Sequence, residues 1–506
     1  MGRRIALSLA FRDMWQSSCH VFPSVSLLKM MAHDIIAMGC FDRVETNGGA
    51  FEQVCLMQGE NPNVAVREFA GILHEAGIKT QMLERGLNAL SLTPVSADVR
   101  MLMFEVKAAQ GVDVARSFCG LNDHRNLRLS IEYAKASGMI SQVAFPIALS
   151  PVHTVDYYMQ FVTSVVGYGC DEICVKDMSG QGDPYFISKL IHSIKSVYPS
   201  VFIQYHSHCC SCSSRESLLA AVRAGADCVD VALGPLAGGF SHPDVLEVVD
   251  WLRADGFVVK DVEMAAYRNL VHLIQDFLSG VSSSLSSGMM AANGLHSSGL
   301  PGGMMASLMR ELPSYHSAVN QTLSVSSELT FEQFVDCFVD EVKRVWSSFG
   351  YPPMVTPYSQ YVANSALTNL LSLAKGQPRW SGLGVDVWNM LLGRMGELPG
   401  KPDHDLVAMA EGRGFEFYSG DPQELYPDTL ERYREMMLAE GWSLGLDEEE
   451  LLEFAMHENQ YRDYVVKLNG FGSSLSVRVA PCDGAVCAAI AMALHEYLNT
   501  KYRVAK

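Results

Sequence analysis

Residues 172–208 read EICVKDMSGQGDPYFISKLIHSIKSVYPSVFIQYHSH, and this stretch decides the architecture. Glu172–Val175 and Val201–Tyr205 are short runs rich in β-branched and aromatic residues, while Pro184–Val197 between them repeats its apolar side chains at helical spacing. Strand, helix and strand make a βα repeat, and the unit recurs roughly every 30 residues from the N-terminus to about Gly256. Eight strands are expected, near Ile5–Ala10, Arg43–Thr46, Thr80–Leu83, Asp113–Phe118, Ile140–Ile147, Glu172–Val175, Val201–Tyr205 and Cys228–Val231. Helical patterns such as Val64–Ala76, Thr154–Gly167 and Ser214–Ala224 fall between them. Eight such units in succession predict an α/β fold in which a closed (β/α)8 TIM barrel spans residues 1–260. No G-x-G-x-x-G follows the first strand, which disfavours the open dinucleotide-binding sheet.

Past Gly256 the strand signals fade. Val262–Leu278 and Phe331–Phe349 read as helices, the second opened by Thr330 and Gln333 as a capping box. A helical region is therefore expected over 261–462. A serine- and glycine-rich stretch, Ser279–Gly303, links it to the barrel and ends in an apolar loop, Pro301–Met305, built to pack. Glu448–Glu450 reads as a solvated helix face. Alternation in Tyr464–Leu468 and Leu475–Val479 predicts a small β-hairpin in a terminal extension over 463–506.

A chain of 506 residues exceeds one ordinary hydrophobic core, in keeping with a large domain and attached units. Its net charge of -18 argues against nucleic acid or an anionic membrane as partner, because both require a basic face. Met1–Arg12 is too short for a signal-peptide core, and no apolar run, including Val486–Leu494, reaches the length of a bilayer span. A cytoplasmic protein is expected. The 13 cysteines lack paired spacing and suit reduced thiols. Cys209, Cys210 and Cys212 have no second cluster with which to complete a structural zinc knot.

In a (β/α)8 barrel the C-terminal strand ends face the active-site mouth. Strand one runs into Arg12-Asp13-Met14-Trp15-Gln16, strand three into Glu84-Arg85-Gly86, strand six into Lys176-Asp177-Met178 and strand seven into His206-Ser207-His208. Two histidines two apart leave a strand on one side and can share a metal ion; taken alone they equally suit a strand cap bonded to loop backbone. Asp13 adds an oxygen ligand, giving a set suited to zinc, manganese or cobalt. Lys176 would ligate a cation only as a carbamate, and spacing alone also allows an ion pair to Asp13 or Asp177. Arg85 carries the fork that matches a carboxylate.

Together these strand ends resemble the carboxyltransferase domains of pyruvate carboxylase, the oxaloacetate decarboxylase alpha subunit and the carboxyltransferase subunit of transcarboxylase. The resemblance covers nearly the whole chain. It includes Asn47-Gly48-Gly49-Ala50, Arg85-Gly86-Leu87-Asn88, Ser150–Val155, Leu300–Met305 and Val355–Gln360. It implies a divalent metal (zinc, manganese or cobalt) held by Asp13, carbamylated Lys176, His206 and His208. It also implies that Gln16, Gly49 and Arg85 bind a keto acid such as pyruvate or oxaloacetate, and that Thr356 passes a proton between biotin and the enol. Three features depart from the family: its usual tyrosine seven residues after the arginine is Leu92 here, its tryptophan before the paired glycines is Asn47, and its polar, glycine-containing turn after the two histidines is Cys209-Cys210-Ser211-Cys212-Ser213-Ser214.

Met-Lys-Met is absent, so biotin is expected on a separate carrier protein. Other carboxylase or decarboxylase subunits are further expected partners, with Tyr464–Val479 as a docking connector, and relatives of this kind commonly form homo-oligomers. Two other readings remain: a lyase or Claisen-type synthase of the related metal-dependent barrels acting on acyl-CoA, and a non-catalytic scaffold subunit.

Overall fold

Strand β1 (Ala6–Leu9) pairs in parallel with both β2 (Arg43–Gly48) and β8 (Cys228–Val231), and this double pairing closes the sheet in the computed structural model. Between them run β3 (Lys79–Glu84), β4 (Val114–Phe118), β5 (Ile140–Pro146), β6 (Glu172–Asp177) and β7 (Phe202–Ser207), every neighbouring pair parallel. The described residues are 2–18, 21–210, 213–280, 300–323, 328–442 and 447–468. All eight expected strands form. Helices such as Pro62–Glu75, Val155–Gly167 and Pro184–Val197 return the chain between strands. They lay apolar stripes (Phe69, Phe161 and Leu190 among them) against the outer face of the sheet.

The lumen is polar. Parallel barrels usually fill this space with layers of branched apolar side chains. Here Arg43 forks onto Glu172 at 2.5 and 2.6 Å, and Gln142 bridges Glu172 and Gln204 at 2.8 and 2.9 Å. Above them Arg116 donates to Gln142 at 2.7 Å, to Asp230 at 2.8 Å and to Glu45 at 3.2 Å. Glu45 also accepts from Arg12 at 2.7 Å. Three buried cations (Arg12, Arg43 and Arg116) stand against the three buried anions they contact (Glu45, Glu172 and Asp230), so the network is electrically balanced. Balance is what makes such burial tolerable, because an isolated charge here would be strongly destabilising.

Beyond the barrel the described chain is helical. Phe331–Ser348 opens with the expected capping box, in which Thr330 Oγ1 accepts from the Gln333 backbone at 3.2 Å and Gln333 Oε1 from the Thr330 backbone at 2.9 Å. It packs on Tyr358–Ala374, and Val355, just before that helix, joins Phe118, Ala144 and Cys174 in an apolar cap over the barrel mouth.

Several expectations change. Asp13 lies in the first turn of a short helix, Phe11–Ser18, that follows β1. Pro301 is the N-cap of a helix over Gly302–Asn320, so that segment is helical where a loop was expected; Leu300 beside it is fully buried. Residues 281–299 of the linker lie outside the described residues. Glu449 is not simply solvated, since it pairs with Arg67 and accepts from Gln110 at 2.9 Å. Tyr464–Leu468 forms no hairpin arm. It ends a helix, Glu458–Leu468, whose buried residues Tyr461 and Tyr464 are three apart, a helical period that a short alternating window conceals. Leu475–Val479 lies outside the described residues.

Arg43→Met would strand the buried Glu172 carboxylate and is expected to cost about 3–5 kcal/mol, read as a lower urea midpoint. The double variant Arg43→Met/Glu172→Met, with both charges gone, should recover most of that loss. A double variant as weak as the single would remove the ion pair as the cause.

Candidate metal centre and active site

At the C-terminal mouth, β7 delivers His206 and, one residue past its end, His208, while the helix after β1 delivers Asp13. A third histidine, His242, joins them from the loop after β8. Its Nε2 lies 3.5 Å from Asp13 Oδ2, against 3.3 Å for His206 Nε2 and 3.8 Å for His208 Nε2. All four residues are buried, and their potential ligand atoms lie within 4.8 Å of one another.

Each ring is held by its other nitrogen. Nδ1 of His206 meets Asp230 Oδ2 at 2.7 Å, Nδ1 of His208 the Phe240 carbonyl at 2.6 Å, and Nδ1 of His242 the Ser207 carbonyl at 2.9 Å. A carbonyl only accepts, so Nδ1 of His208 and His242 carries the proton and the Nε2 lone pair faces inward. Among the described residues the three Nε2 atoms and Asp13 Oδ2 have no hydrogen-bond partner. Buried polar groups are rarely left this way, and three lone pairs aimed at a carboxylate call for a cation between them.

The electrostatics agree. Burial, and then the charge of Lys176, lowers the pKa of His206; burial and the neighbouring His242 hold His208 well below the ordinary histidine value, so both rings are neutral. Burial pushes the Asp13 carboxyl up, but Arg12 and the histidines outweigh it and keep Asp13 ionised, well below the usual carboxylate range. Asp230 behaves likewise, with Arg116 and His206 overcoming burial.

The other expected site residues fall around this centre. Lys176, at the end of β6, is buried with Nζ 5.3 Å from the Phe118 ring centroid. Among the described residues it forms no ion pair with Asp13 or Asp177, and burial lowers its pKa. Asp177 instead shapes the following loop, accepting from the Gly182 backbone at 2.8 Å. Gln16 accepts from Arg12, which bridges Glu45 and Asp13. Arg85 and Thr356 line one narrow cavity with Asn88 and Phe118. The Arg85 guanidinium donates through Nη1 to the carbonyls of Leu90 and Ser91 at 3.0 and 3.1 Å. Burial, then Arg12, lowers its pKa to about 10, which leaves it cationic. Gly49 sits where a Cβ would collide with Arg85 Nη1 and the Leu90 carbonyl, so only glycine permits that approach. Asn47 donates to Glu52 at 3.3 Å, and Lys107 lies between Glu52 and Glu453 at 3.1 and 3.3 Å. The late helix Glu448–Met456 is thereby tied to the helix Gly49–Gln58, which begins at the second of the paired glycines.

Sequence reasoning did not single out His242, Glu45, Arg116 or Asp230. A histidine in a glycine-rich loop after the eighth strand, Gly238-Gly239-Phe240-Ser241-His242, was the available signal for the first. Charged residues inside short strands were the signal for the others.

A family model described as a conserved carboxylase domain matches residues 296–483. The chain is 29% identical over 455 residues to one of the pyruvate carboxylase subunits of Methanocaldococcus jannaschii, covering 88% of this chain and 75% of that one. It is 28% identical over 451 residues to the methylmalonyl-CoA carboxyltransferase 5S subunit of Propionibacterium freudenreichii, covering 88% and 84%. In fold it matches the carboxyl transferase domain of Rhizobium etli pyruvate carboxylase, solved with oxamate and biotin. The TM-score is 0.79 at 21% identity, over 93% of this chain and 79% of that one. The chain thus runs collinear with carboxylase and carboxyltransferase subunits over most of its length, closes the same barrel as a carboxyl transferase domain, and is similar to them throughout.

Proposed function

We propose that this chain moves a carboxyl group between a small 2-keto acid of the pyruvate and oxaloacetate kind and biotin borne on a separate carrier protein. The observation that carries this reading is the convergence of Asp13, His206 and His208 at the mouth of a carboxyltransferase barrel. Oxygen and imidazole donors of this kind suit a divalent zinc, manganese or cobalt ion, with Lys176, as an amine or a carbamate, beside it. When bound, the ion would serve as a Lewis acid toward the keto-acid oxygen.

The chain's own residues supply the rest. Arg85 keeps Nε and Nη2 without a hydrogen bond among the described residues, which leaves a fork for the substrate carboxylate, and Gly49 gives it room. Gln16 stands at the same mouth through Arg12. Loss of carbon dioxide from oxaloacetate leaves an enolate, and the Arg85 charge favours that developing anion. Thr356 lines the Arg85 cavity, which supports its hydroxyl as the group that passes a proton between the biotin ureido nitrogen and the enolate. The labour divides accordingly: residues 1–260 hold the ion and the keto acid, 261–462 bring Thr356 over the mouth, and 463–506 serve as the extension toward partner subunits. The acyl-CoA lyase reading lacks support, since the matched relatives are carboxylase and carboxyltransferase subunits.

Decarboxylation of oxaloacetate by the purified protein with a biotinylated carrier tests this reading. His208→Ala is expected to lose metal and activity together, whereas Thr356→Ala should keep its metal and lose turnover by about 10²–10⁴-fold. A wild-type protein that binds metal and never turns over oxaloacetate would overturn the keto-acid assignment.

Asp230→Asn weakens the support behind His206 and should lower metal affinity by about 10–100-fold in competition with a chromophoric chelator. Unchanged affinity would show that Asp230 serves the lumen alone.

A further inference from the structure

We infer that His242 is a metal ligand of this chain and that, with Asp13, His206 and His208, it forms a complete four-atom protein set that binds the ion without Lys176. This inference rests on the metal-centre reading above and changes which residues carry it.

The geometry is specific. Four ligands at zinc bond lengths of about 2.0–2.1 Å sit at the corners of a tetrahedron whose edges are about 3.4 Å. The three Nε2 atoms stand 3.3, 3.8 and 3.5 Å from Asp13 Oδ2, with His242 between the other two in closeness. The His242 ring centroid is 4.4 Å from that of His206 and 4.5 Å from that of His208, nearer to each than they are to one another at 5.2 Å.

Its aim is fixed as well. Nδ1 of His242 is held at 2.9 Å by the carbonyl of Ser207, the residue between the two β7 histidines, so the loop after β8 is pinned to the strand that carries its fellow ligands. The side chain is fully buried, and its Nε2 has no hydrogen-bond partner among the described residues. A core histidine placed for packing alone would satisfy both nitrogens or leave one to solvent.

Lys176 is equally buried but differs in what ligation would require. Its amine rests against the Phe118 ring and requires a covalent change, carbamylation, before it can ligate. A site completed by His242 is assembled by folding alone, so metal binding does not depend on dissolved carbon dioxide.

The test is zinc binding, measured by chelator competition on chelator-stripped full-length protein, in buffer freed of carbon dioxide and again with bicarbonate. Wild type is expected to bind one equivalent with the same affinity in both buffers. His242→Gln should weaken binding by about 100-fold or more, while Lys176→Gln should stay within a few-fold of wild type. Thermal unfolding of each stripped variant separates lost ligation from lost fold. In cobalt-loaded protein the visible absorption should change on His242→Gln and persist on Lys176→Gln. Bicarbonate-dependent affinity, loss of metal in Lys176→Gln, or full retention in His242→Gln would each overturn the inference. A wild type that binds no zinc in either buffer would instead bring down the metal-centre reading itself.

Discussion

The shared carboxylate of Asp230 is the contact on which the centre depends. One of its oxygens takes the Arg116 guanidinium at 2.8 Å and His206 Nδ1 at 2.7 Å, so a charge fixed on the barrel axis sets the orientation of a ring at the mouth. Arg116 in turn reaches Gln142 and Glu45, and Glu45 holds Arg12, beside Asp13 and Gln16. A chain of charge-assisted hydrogen bonds therefore runs from the middle of the lumen to both sides of the site. Such contacts are strong where water is excluded and costly if any member is lost. An apolar lumen would give more stability per residue but no way to aim imidazoles and a carboxylate at one point.

That wiring explains why the histidines can be neutral and the carboxylates charged within a few ångströms. Burial alone would push Asp13 and Asp230 toward the protonated form; Arg12 and Arg116 reverse that. The result is a centre with lone pairs and negative charge but few protons of its own. It is a poor place for general acid catalysis and a good one for a cation. Thr356 reaches this mouth from outside the barrel because Val355 anchors its loop on Phe118, Ala144 and Cys174.

Much of this was legible in the sequence, for identifiable reasons. The eight strands could be located because each is a short β-branched or aromatic run beside a helical pattern, and His206-Ser207-His208 declared itself because a period of two survives into the loop. His242 did not, because it lies beyond the end of a strand in a loop whose path depends on tertiary contacts such as the Ser207 carbonyl. Arg116 and Asp230 were hidden for another reason: alternation marks two faces of a strand without saying which faces the lumen, and a charged lumen inverts the usual guess. The C-terminal misreading has a similar root. Five alternating residues at Tyr464–Leu468 fit a strand, and only the longer stretch from Glu458 reveals Tyr461 and Tyr464 as one buried helical stripe.

The buried Lys107 bears on how the molecule is made. Its ammonium is fully buried and held by Glu52, Asn63 and Glu453, the last of which lies 346 residues further along the chain. At ribosomal speeds of roughly 5–20 residues per second, Lys107 waits on the order of tens of seconds for that partner to be synthesised. Through that interval the barrel helix Ala97–Ala109 carries a lysine beside Glu52 with one of its hydrogen-bond partners missing, and water must stand in for it. Final drying of this face is thus a late event in biogenesis. Barrel and C-terminal helices therefore share one buried polar cluster, and a nascent barrel without its tail keeps a hydrated polar seam.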